Sequence, residues 1–450
     1  MKKIRIGCGA GCCKDRIEPV EELLEKGELD YLVFETLAER SFANQQAQKR
    51  EDNTKGFNDM LEVRMRRTLK QAVEKNVKII SNMGGANPSG ALKVVARVAK
   101  EMGLSIKIAV VEGDDIFPNI DRYMKNERWQ YPGETLADLD AEIYYANVYL
   151  GGEPIREALR NGADVVITGR IADAALFSGP LMYEFAWDRN HANMGQATLV
   201  GHLLECCGQI TGGFFADPGK KEVPGLERLG FPIAEVSEDG SFIVTKVEGS
   251  GGIVSVDTCK EQLFYEITDP SCYKTPDAIV DFSGVSFEQL GKDAVRVTGA
   301  VSKGIPDTLK VNVGYIDGFK ATGIVTYAGS NSLKLAELCA DIVWKRAEIV
   351  GINPIDKRTD YVGYNALCKT ATSDYYSGDK HSEIMLRMSV RTKTEEEAKL
   401  FADEFGFLYT NGPASSTGMN SEVIKSYSVT SIFIPVEDVV TTVRYEEVGV

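Results

Sequence analysis

The stretch VKIISNMGGANPSGALKVVARVAKEM, residues 77–102, decides the fold class of this 450-residue chain. Its first five residues predict a β-strand over residues 77–81. A turn follows, in which Ser89 is placed to cap a helix over residues 90–102, and Gly103 supplies the residue that ends this helix. A strand, a short turn and an amphipathic helix in this order are the parts of a βαβ unit.

The same alternation of strands and helices extends outward from this stretch. Strands are predicted over residues 4–7, 31–35, 77–81, 105–111, 142–147 and 163–168. Helices are predicted over residues 19–26, 57–75, 90–102, 153–161 and 197–207. This pattern favours a parallel sheet, so residues 1–212 are interpreted as an α/β domain with ligand loops at the strand ends. A TIM-like barrel is the main alternative, because strand patterns do not show whether a sheet closes.

The pattern changes near Gly212. Residues 213–330 are rich in glycine, valine and threonine and alternate with a period of two, which predicts a β-rich segment of antiparallel strands. Residues 331–450 predict an α+β segment, in which Pro435 limits a strand over residues 432–436 to a sheet edge. The expected fold is therefore α/β, an N-terminal parallel-sheet βαβ domain followed by mixed α+β segments. The other elements predicted in this last segment are helices over 333–349 and 394–405 and strands over 384–391 and 441–448.

Composition excludes several classes of protein. The formal net charge of −15 repels phosphate backbones, so a nucleic-acid partner is not expected. No run approaches the ~20 apolar residues of a membrane span, and the N-terminus lacks the form of a secretory signal. Nine irregularly spaced cysteines favour reduced thiols over a disulfide framework. We expect a cytoplasmic protein without a membrane partner.

Two glycine-containing turns follow predicted strands. Gly9 lies in the sequence Gly-Cys-Gly-Ala-Gly, and Glu35 ends the next strand, which mimics a dinucleotide-binding fingerprint. The third glycine comes too early for that motif, so a loop that lines some other ligand is the preferred interpretation, and a nicotinamide oxidoreductase is a further alternative. Cys12 and Cys13, which follow, are interpreted as packing thiols rather than reactive ones.

The second turn contains Asn82, Gly84, Gly85 and Asn87, between a strand and a helix. Exposed backbone N–H groups and the helix dipole favour an anion at such a position. Equally, a tight turn between strand and helix requires glycines at positive φ whether or not a ligand is bound. Both interpretations stay open.

Charged residues follow two further strands. Asp114 and Asp115 could share acid and base roles, since clustered carboxylates raise one another's pKa. A divalent metal on their oxygens, or a helix cap, are the other interpretations. In the sequence Thr168-Gly169-Arg170-Ile171-Ala172-Asp173, Arg170 is the best-placed cation for a carboxylate or phosphate, unless it forms a structural ion pair with Asp173.

Glycine pairs later in the chain allow two interpretations. Gly212 and Gly213, with Lys220 and Lys221 nearby, could cradle the phosphates of CoA or simply form turns beside surface lysines. His202 lies on an apolar helix face and is interpreted as a core residue.

Several of these stretches together resemble the acyclic terpene utilisation (AtuA-like) family. The resemblance extends from about residue 3 to the end of the chain, and it is carried by Asp30–Glu39, Gly84–Pro88, Val110–Asp115, Ile167–Asp173, Gly201–Cys206, Thr211–Gly213, Asp281–Gly284, Asp307–Val311, Val313–Tyr315 and Leu408–Ala414. The resemblance implies catabolism of acyclic terpenes or branched-chain acids, whose intermediates are acyl-CoA thioesters, and it implies a small companion subunit.

We therefore expect a lyase or hydratase that acts on a branched hydroxy-acid or its CoA ester, with a homo-oligomeric assembly. Asp114 and Asp115 would be the acid–base pair, and Arg170 would bind the substrate carboxylate. No cofactor is assigned beyond the divalent metal considered above, and CoA is expected only as part of the substrate. The alternative is a non-catalytic thioester-binding subunit. The other residues assigned to substrate binding are Gly9, Glu35, Asn82, Gly84, Gly85, Asn87, Thr168, Gly169, Asp173, Gly212 and Gly213.

Overall fold

A computed structural model describes residues 2–367, 369 and 383–449, so Cys368 and His381 lie outside the described residues. The chain forms two compact units. The first comprises Met1–Leu139, Tyr145–Val313 and Thr430–Val450, and the second comprises Asp140–Tyr144 and Gly314–Val429.

The helices and strands have the following bounds. The strands are β1 Lys3–Ala10, β2 Tyr31–Phe34, β3 Lys78–Ser81, β4 Ile106–Glu112, β5 Ile143–Val148, β6 Val165–Thr168, β7 Pro232–Ser237, β8 Phe242–Lys246, β9 Tyr273–Lys274, β10 Ile279–Asp281, β11 Ser286–Gly291, β12 Ala294–Thr298, β13 Val301–Ser302, β14 Thr308–Ala328, β15 Asp356–Val362, β16 Glu383–Thr392, β17 Thr417–Pro435 and β18 Thr442–Val448. The helices are α1 Glu18–Lys26, α2 Glu39–Glu51, α3 Leu61–Glu74, α4 Pro88–Glu101, α5 Glu153–Arg160, α6 Ala175–Glu184, α7 Met194–Leu204, α8 Val256–Phe264, α9 Ser332–Ile349 and α10 Glu395–Asn411.

A ten-stranded sheet forms the framework of the first unit, in the order β11-β12-β8-β7-β1-β2-β3-β6-β4-β18. Its five central strands, β1, β2, β3, β6 and β4, are parallel, and the strands on either side are antiparallel. The α/β prediction is confirmed. Because β11 and β18 form two separate edges among the described strands, the sheet is open and the barrel alternative is wrong.

The central strands are fully buried where helices cover both faces, which explains their continuous apolar sequences. Every residue of β2 and of β6 is buried. Helix α4 begins two residues earlier than predicted, at Pro88, because Asn87 caps it by accepting a hydrogen bond from the Gly90 N–H. The predicted cap, Ser89, instead donates to Glu112 at 2.6 Å.

One predicted strand of the parallel sheet is elsewhere. Strand β5 does not join the ten-stranded sheet but pairs with β14. Its alternating pattern could not reveal its partner, since strand pairing depends on contacts distant in the sequence. Three helices, α2, α6 and α8, were not predicted. Helix α2 has a weakly segregated apolar face, α6 contains Pro180, and α8 lies in the segment that was expected to be β-rich.

The second unit is built on strands β15, β16 and β14, and β17 lies at one edge of their sheet. Pro435, which was predicted to limit its strand to a sheet edge, is the last residue of β17 and belongs to the first unit. Alternate residues of β16 are buried, and they pack with helices α9 and α10 in one apolar core. Phe401 and Phe405 of α10 lie in this core. The period-two pattern therefore places one face of β16 against the helices.

Within the described part of the chain, no helix is both long enough and apolar enough to cross a membrane.

Candidate active site

Four adjacent parallel strands, β2, β3, β6 and β4, end at one edge of the ten-stranded sheet. Glu35 follows β2 directly and Asn82 follows β3 directly, whereas Arg170 and Asp114 lie two residues after β6 and β4. Ligands of open α/β sheets bind outside the carboxyl ends of the strands. The fold thus gathers four predicted site residues from distant parts of the chain.

Arg170 is a buried cation at this edge, with 1 % of its surface exposed. Its Nε and Nη2 donate to the Ile171 carbonyl at 3.1 and 2.7 Å, and its Nη1 donates to the Leu37 carbonyl at 2.5 Å. Nη2 also pairs with the Asp173 carboxylate, and the guanidinium lies 4.3 Å from the centre of the Tyr149 ring. The predicted ion pair is formed, and the cation is held rigidly. One of the two Nη1 hydrogens remains beyond the bond to Leu37.

Asp114 fixes the turn that carries Arg170. Its Oδ2 accepts hydrogen bonds from the Arg170 backbone N–H at 2.9 Å and from Asn147 Nδ2 at 2.8 Å. Both of its oxygens would lie 2.8 Å from a Cβ placed on Gly169, so glycine is required there. Burial raises the pKa of Asp114 to about 6, although these hydrogen bonds oppose the shift. Asp114 contacts the main chain of Arg170 rather than its guanidinium.

Glu35 is a second buried carboxyl group, 8 % exposed. Its Oε1 accepts hydrogen bonds from the Leu37 N–H at 2.8 Å and from Asn82 Nδ2 at 2.9 Å. Burial raises its pKa to about 7, and these hydrogen bonds together with the charge of Arg170 limit the rise. A carboxyl group of this kind exchanges its proton near neutral pH.

Asp173 is the carboxylate of the cluster that solvent reaches best. Protein atoms surround it closely, yet its side chain keeps 37 % of its surface accessible. Burial raises its pKa well above the usual value, and the charges of Glu35 and Glu205 add to this while Arg170 opposes it. We call Glu35, Asp173, Glu205 and Arg170 the carboxylate cluster.

Asp115 does not share the buried environment of Asp114. It is exposed, and its Oδ1 accepts a hydrogen bond from the Phe117 N–H at 3.1 Å. This bond forms the turn before a short 3₁₀ helix, Phe117–Tyr123. The N-cap of this helix is Ile116, so Asp115 forms the preceding turn rather than a helix cap, and its exposure does not favour a role as half of an acid–base pair.

The turn after β3 is packed against the protein. The N–H groups of Gly85 and Asn87 donate to Asn82 and Gly84 carbonyls within the turn, and a Cβ on Gly84 would lie 2.4 Å from the Thr168 carbonyl oxygen. Gly85 has a φ of +52°, as a tight turn requires. The structural interpretation of this turn is therefore favoured over an anion cradle.

The amides of Asn82 and Asn87 also have protein partners. Asn82 Oδ1 accepts from the Thr36 N–H at 2.8 Å, so this side chain ties the end of β2 to the end of β3. Asn87 Nδ2 donates to the carbonyls of Asn53 and Lys55 at 2.9 and 2.7 Å. Thr168 Oγ1 donates to the Gly169 carbonyl at 3.1 Å.

Gly9 lies inside β1 rather than in a loop, which corrects the predicted ligand-lining turn. A Cβ at this position would lie 2.6 Å from the Phe34 ring. The glycine is thus required by packing, and the resemblance to a dinucleotide fingerprint has a structural cause. The neighbouring thiol of Cys12 is exposed, and partial burial and the charge of Asp15 raise its pKa, which argues against a reactive cysteine.

Gly212 and Gly213 lie next to a surface pocket. Gly212 has a φ of +107°, and Gly213 lines the pocket. Lys220 pairs with Asp217, and Lys221 pairs with Glu261, so these lysines have ordinary surface partners. The remaining residues that line the pocket are Gln209, Phe214, Phe215, Thr258, Glu261, Gln262 and Tyr265.

Two further residues near Arg170, Glu39 and Tyr149, were not predicted as site residues. The Tyr149 hydroxyl donates to Glu39 Oε1 at 2.6 Å. Burial would raise the pKa of Glu39, but this hydrogen bond and the charge of Arg170 outweigh it and lower the pKa to about 2. Glu39 thus stays ionised, in contrast to Glu35. Glu39 lies in Asp30–Glu39, one of the stretches that carry the family resemblance, and this was the signal in the sequence that could have identified it.

His202 is a packed histidine, as predicted, but it also borders the carboxylate cluster. It is 1 % exposed and lies against the rings of Tyr273 and Phe282, with centroids 5.2 and 5.7 Å away. Its Nε2 lies 3.0 Å from the Leu263 carbonyl oxygen and its Nδ1 lies 3.3 Å from Glu205 Oε1. Burial lowers its pKa, but the carboxylate of Glu205 outweighs burial, and the net shift is upward.

The carboxylate cluster is not arranged as a metal site. Among the described residues, no group of three or more His, Cys, Asp or Glu side chains is placed to hold a metal ion. We therefore assign no metal to Asp114, Asp115 or the cluster.

Fold and site together define a class: an open α/β protein with a buried arginine and carboxyl groups of raised pKa at the carboxyl ends of its parallel strands. Residues 4–445 match the acyclic terpene utilisation family protein AtuA. The chain belongs to this family, which is linked to acyclic terpene utilisation. No curated protein and no solved structure matched the chain.

Proposed function

We propose that this protein is a catabolic enzyme of the lyase or hydratase type that acts on a branched hydroxy-acid or its acyl-CoA ester. The observation that carries the proposal is the position of Arg170, buried at 1 % exposure, beside Glu35 and Asp173, two carboxyl groups whose pKa is raised. Perturbed carboxyl groups beside a fixed cation are typical of sites that move protons.

The chemistry assigned to the site is elimination of water, or its reverse. A base removes a proton from the carbon next to the substrate carbonyl, and negative charge develops on the carbonyl oxygen. Arg170 stabilises this charge, because its guanidinium is already fixed by Leu37 and Ile171 and needs no rearrangement. An acid protonates the hydroxyl group, the C–O bond breaks, and water leaves with formation of a C=C bond.

Asp173 and Glu35 are assigned the proton transfers, in place of Asp114 and Asp115. Asp173 is the more accessible, so it is placed to act as the base toward the substrate carbon. Glu35, with a pKa of about 7, is placed to supply the proton. Asp114 is a positioning residue, since it acts through the backbone of Arg170.

The test is turnover of a panel of C3-branched 3-hydroxy acids and their CoA esters, with products identified by mass spectrometry. Loss of water marks a hydratase, and cleavage into two carbon fragments marks a lyase. Asp173→Asn should lower kcat by about 100-fold or more with a smaller change in KM. Glu153→Gln, an exposed carboxylate of α5, is the control and should keep full activity. Unchanged turnover in both Asp173→Asn and Glu35→Gln would overturn these roles.

A second candidate is a non-catalytic thioester-binding subunit that works with a small companion protein. The exposed aromatic rings of helix α10 favour it, since Phe407 is 54 % and Tyr409 82 % exposed. Exposed apolar surface of this kind is used in protein contacts. Binding of a CoA ester without any product, in wild type and Asp173→Asn alike, would favour this candidate.

A further inference from the structure

The buried ring of His202 has one hydrogen bond whose direction is fixed. Its Nε2 lies 3.0 Å from the Leu263 carbonyl oxygen. A carbonyl oxygen only accepts, so Nε2 carries the hydrogen, and a neutral ring would then have an unprotonated Nδ1. Nδ1 lies 3.3 Å from Glu205 Oε1. An unprotonated Nδ1 would face a carboxylate oxygen lone pair to lone pair, which is unfavourable, so one of these two atoms carries a proton.

The surroundings of His202 favour the proton on its ring. Leu263 lies in the last turn of helix α8, where the negative end of the helix dipole attracts a cation. The rings of Tyr273 and Phe282 have centroids 5.2 and 5.7 Å from the His202 ring, within the range at which an aromatic ring attracts a cation. Burial lowers the pKa of His202, but the carboxylate of Glu205 and the Leu263 carbonyl outweigh it.

The other titratable groups near the pair do not oppose this arrangement. The carboxylate of Glu266, which follows helix α8, raises the pKa of His202 as Glu205 does. Burial raises the pKa of the Tyr273 hydroxyl well above its usual value, and burial likewise raises the pKa of the Cys206 thiol, so both groups stay neutral. The carboxylates therefore act together in favour of a protonated ring.

Glu205 connects this ring to the carboxylate cluster. It is 7 % exposed, and its Oε2 has no hydrogen-bond donor among the described residues. Burial is the largest cause of the raised pKa of Glu35 and of Asp173, and the charge of Glu205 raises both further. A nearby charge of the same sign disfavours ionisation of a carboxyl group. An ionised Glu205 thus helps Glu35 and Asp173 to keep their protons.

We propose that His202 is an imidazolium at neutral pH, that it keeps Glu205 ionised, and that the pair thereby holds a permanent negative charge near Glu35 and Asp173. Both are positioning residues, since they act on a substrate only through these two carboxyl groups. This consequence rests on the proposed function, in which Glu35 and Asp173 are the acid and the base. The protonation of His202 itself is independent of any substrate.

Nitrogen NMR spectroscopy of isotope-labelled histidine side chains in the full-length protein tests the protonation directly. The chain has three histidines, and contacts with the Tyr273 and Phe282 rings assign the signals of His202. Both of its ring nitrogens should carry hydrogen at neutral pH, and its titration midpoint should lie above the usual value of about 6.5. In Glu205→Gln, the ring should be neutral at this pH, with hydrogen on Nε2 alone. Glu261→Gln removes an exposed carboxylate of α8 and is the control, which should leave these signals unchanged.

The pH profile of turnover measures the effect on the cluster. Glu205→Gln should move the pH optimum to a value lower by about one pH unit, because Glu35 and Asp173 lose a neighbouring negative charge. His202→Gln should move it in the same direction, since a buried Glu205 without its counter-ion takes up a proton. Glu205→Asp keeps the charge and should stay closer to the wild-type optimum. Thermal unfolding of each variant shows whether it is folded.

A neutral His202 ring in the wild type at neutral pH would refute the inference, whichever nitrogen carries the hydrogen. A His202 titration in Glu205→Gln that equals that of the wild type would refute it as well. An unmoved pH optimum in Glu205→Gln would refute the effect on the cluster. Because the NMR measurement needs no substrate, the protonation of His202 is decided even if no hydroxy-acid is turned over and the proposed function fails.

Discussion

Replacing Arg170 with alanine is expected to destabilise the first unit by about 3–5 kcal/mol at pH 8, because the change removes a buried cation that lies beside several buried carboxyl groups. The side chain makes hydrogen bonds to the Leu37 and Ile171 carbonyls, pairs with Asp173 and lies over the Tyr149 ring. Its loss leaves buried carbonyls without a donor and carboxylates without a compensating charge.

The loss of stability in Arg170→Ala should become smaller as the pH falls. Without Arg170, the pKa values of Glu35 and Asp173 in the folded state rise further above those in the unfolded state. The folded variant then binds protons more tightly than the unfolded chain, so its stability rises as pH falls. One such proton changes the free energy of unfolding by up to about 1.4 kcal/mol per pH unit. The deficit relative to wild type should therefore shrink by at least about 1.4 kcal/mol between pH 8 and pH 5.

Tryptophan fluorescence during urea unfolding can report on the first unit alone. In a Trp344→Phe background, the remaining tryptophans, Trp129 and Trp187, both belong to that unit. Arg97→Ala is the control, since Arg97 pairs with Glu62 at 2.7 Å but is 47 % exposed, and this change should cost much less stability than Arg170→Ala. A deficit for Arg170→Ala below about 1 kcal/mol, or one that is the same at both pH values, would falsify the proposed coupling.

Two further predictions concern packing and burial. Gly9→Ala should destabilise the protein by about 1–3 kcal/mol, because the new Cβ would lie 2.6 Å from the Phe34 ring. Gly406→Ala, a change with open space around it in helix α10, should instead stabilise the protein by up to about 1 kcal/mol. Chemical unfolding of both variants measures the two changes in stability, and equal effects of the two substitutions would contradict the prediction. Asp114 has its pKa raised to about 6, so its contribution to stability is complete when protonated at low pH and is lost as pH rises through about 6. Asp114→Asn should abolish about 3 kcal/mol of the stability that wild type gains between pH 8 and pH 4, and an unchanged pH profile would show that the carboxyl is not titrating there.

Much of the first unit was predictable because its signals are local. The predicted strand over residues 77–81 is found as β3, and the strand over 163–168 as β6, since both are short β-branched stretches bounded by turn residues. The position of Arg170 after a buried strand was sufficient to place it at the carboxyl edge of the sheet, because neighbouring parallel strands end at one edge.

The roles of individual residues were less predictable. Asp114 and Asp115 are adjacent in sequence, yet one is buried against Arg170 and the other is exposed in a turn. Asn82 and Asn87 look equivalent as polar residues of one turn, but the Asn82 amide donates a hydrogen bond to Glu35 and the Asn87 amide donates one to the Lys55 carbonyl. Burial and hydrogen-bond partners decide a side chain's chemistry, and neither follows from residue type or spacing.

The sequence by itself determined the α/β class, the parallel centre of the first sheet, the acidic net charge and the family, because periodicity, composition and ordered motifs are local or additive properties. The tertiary structure alone decided that the ten-stranded sheet is open, that β5 pairs with β14, and that Glu205 lies near Glu35 and Asp173. These contacts join residues up to hundreds of positions apart. Their formation depends on which apolar faces can be buried together, a property of the whole chain rather than of any segment.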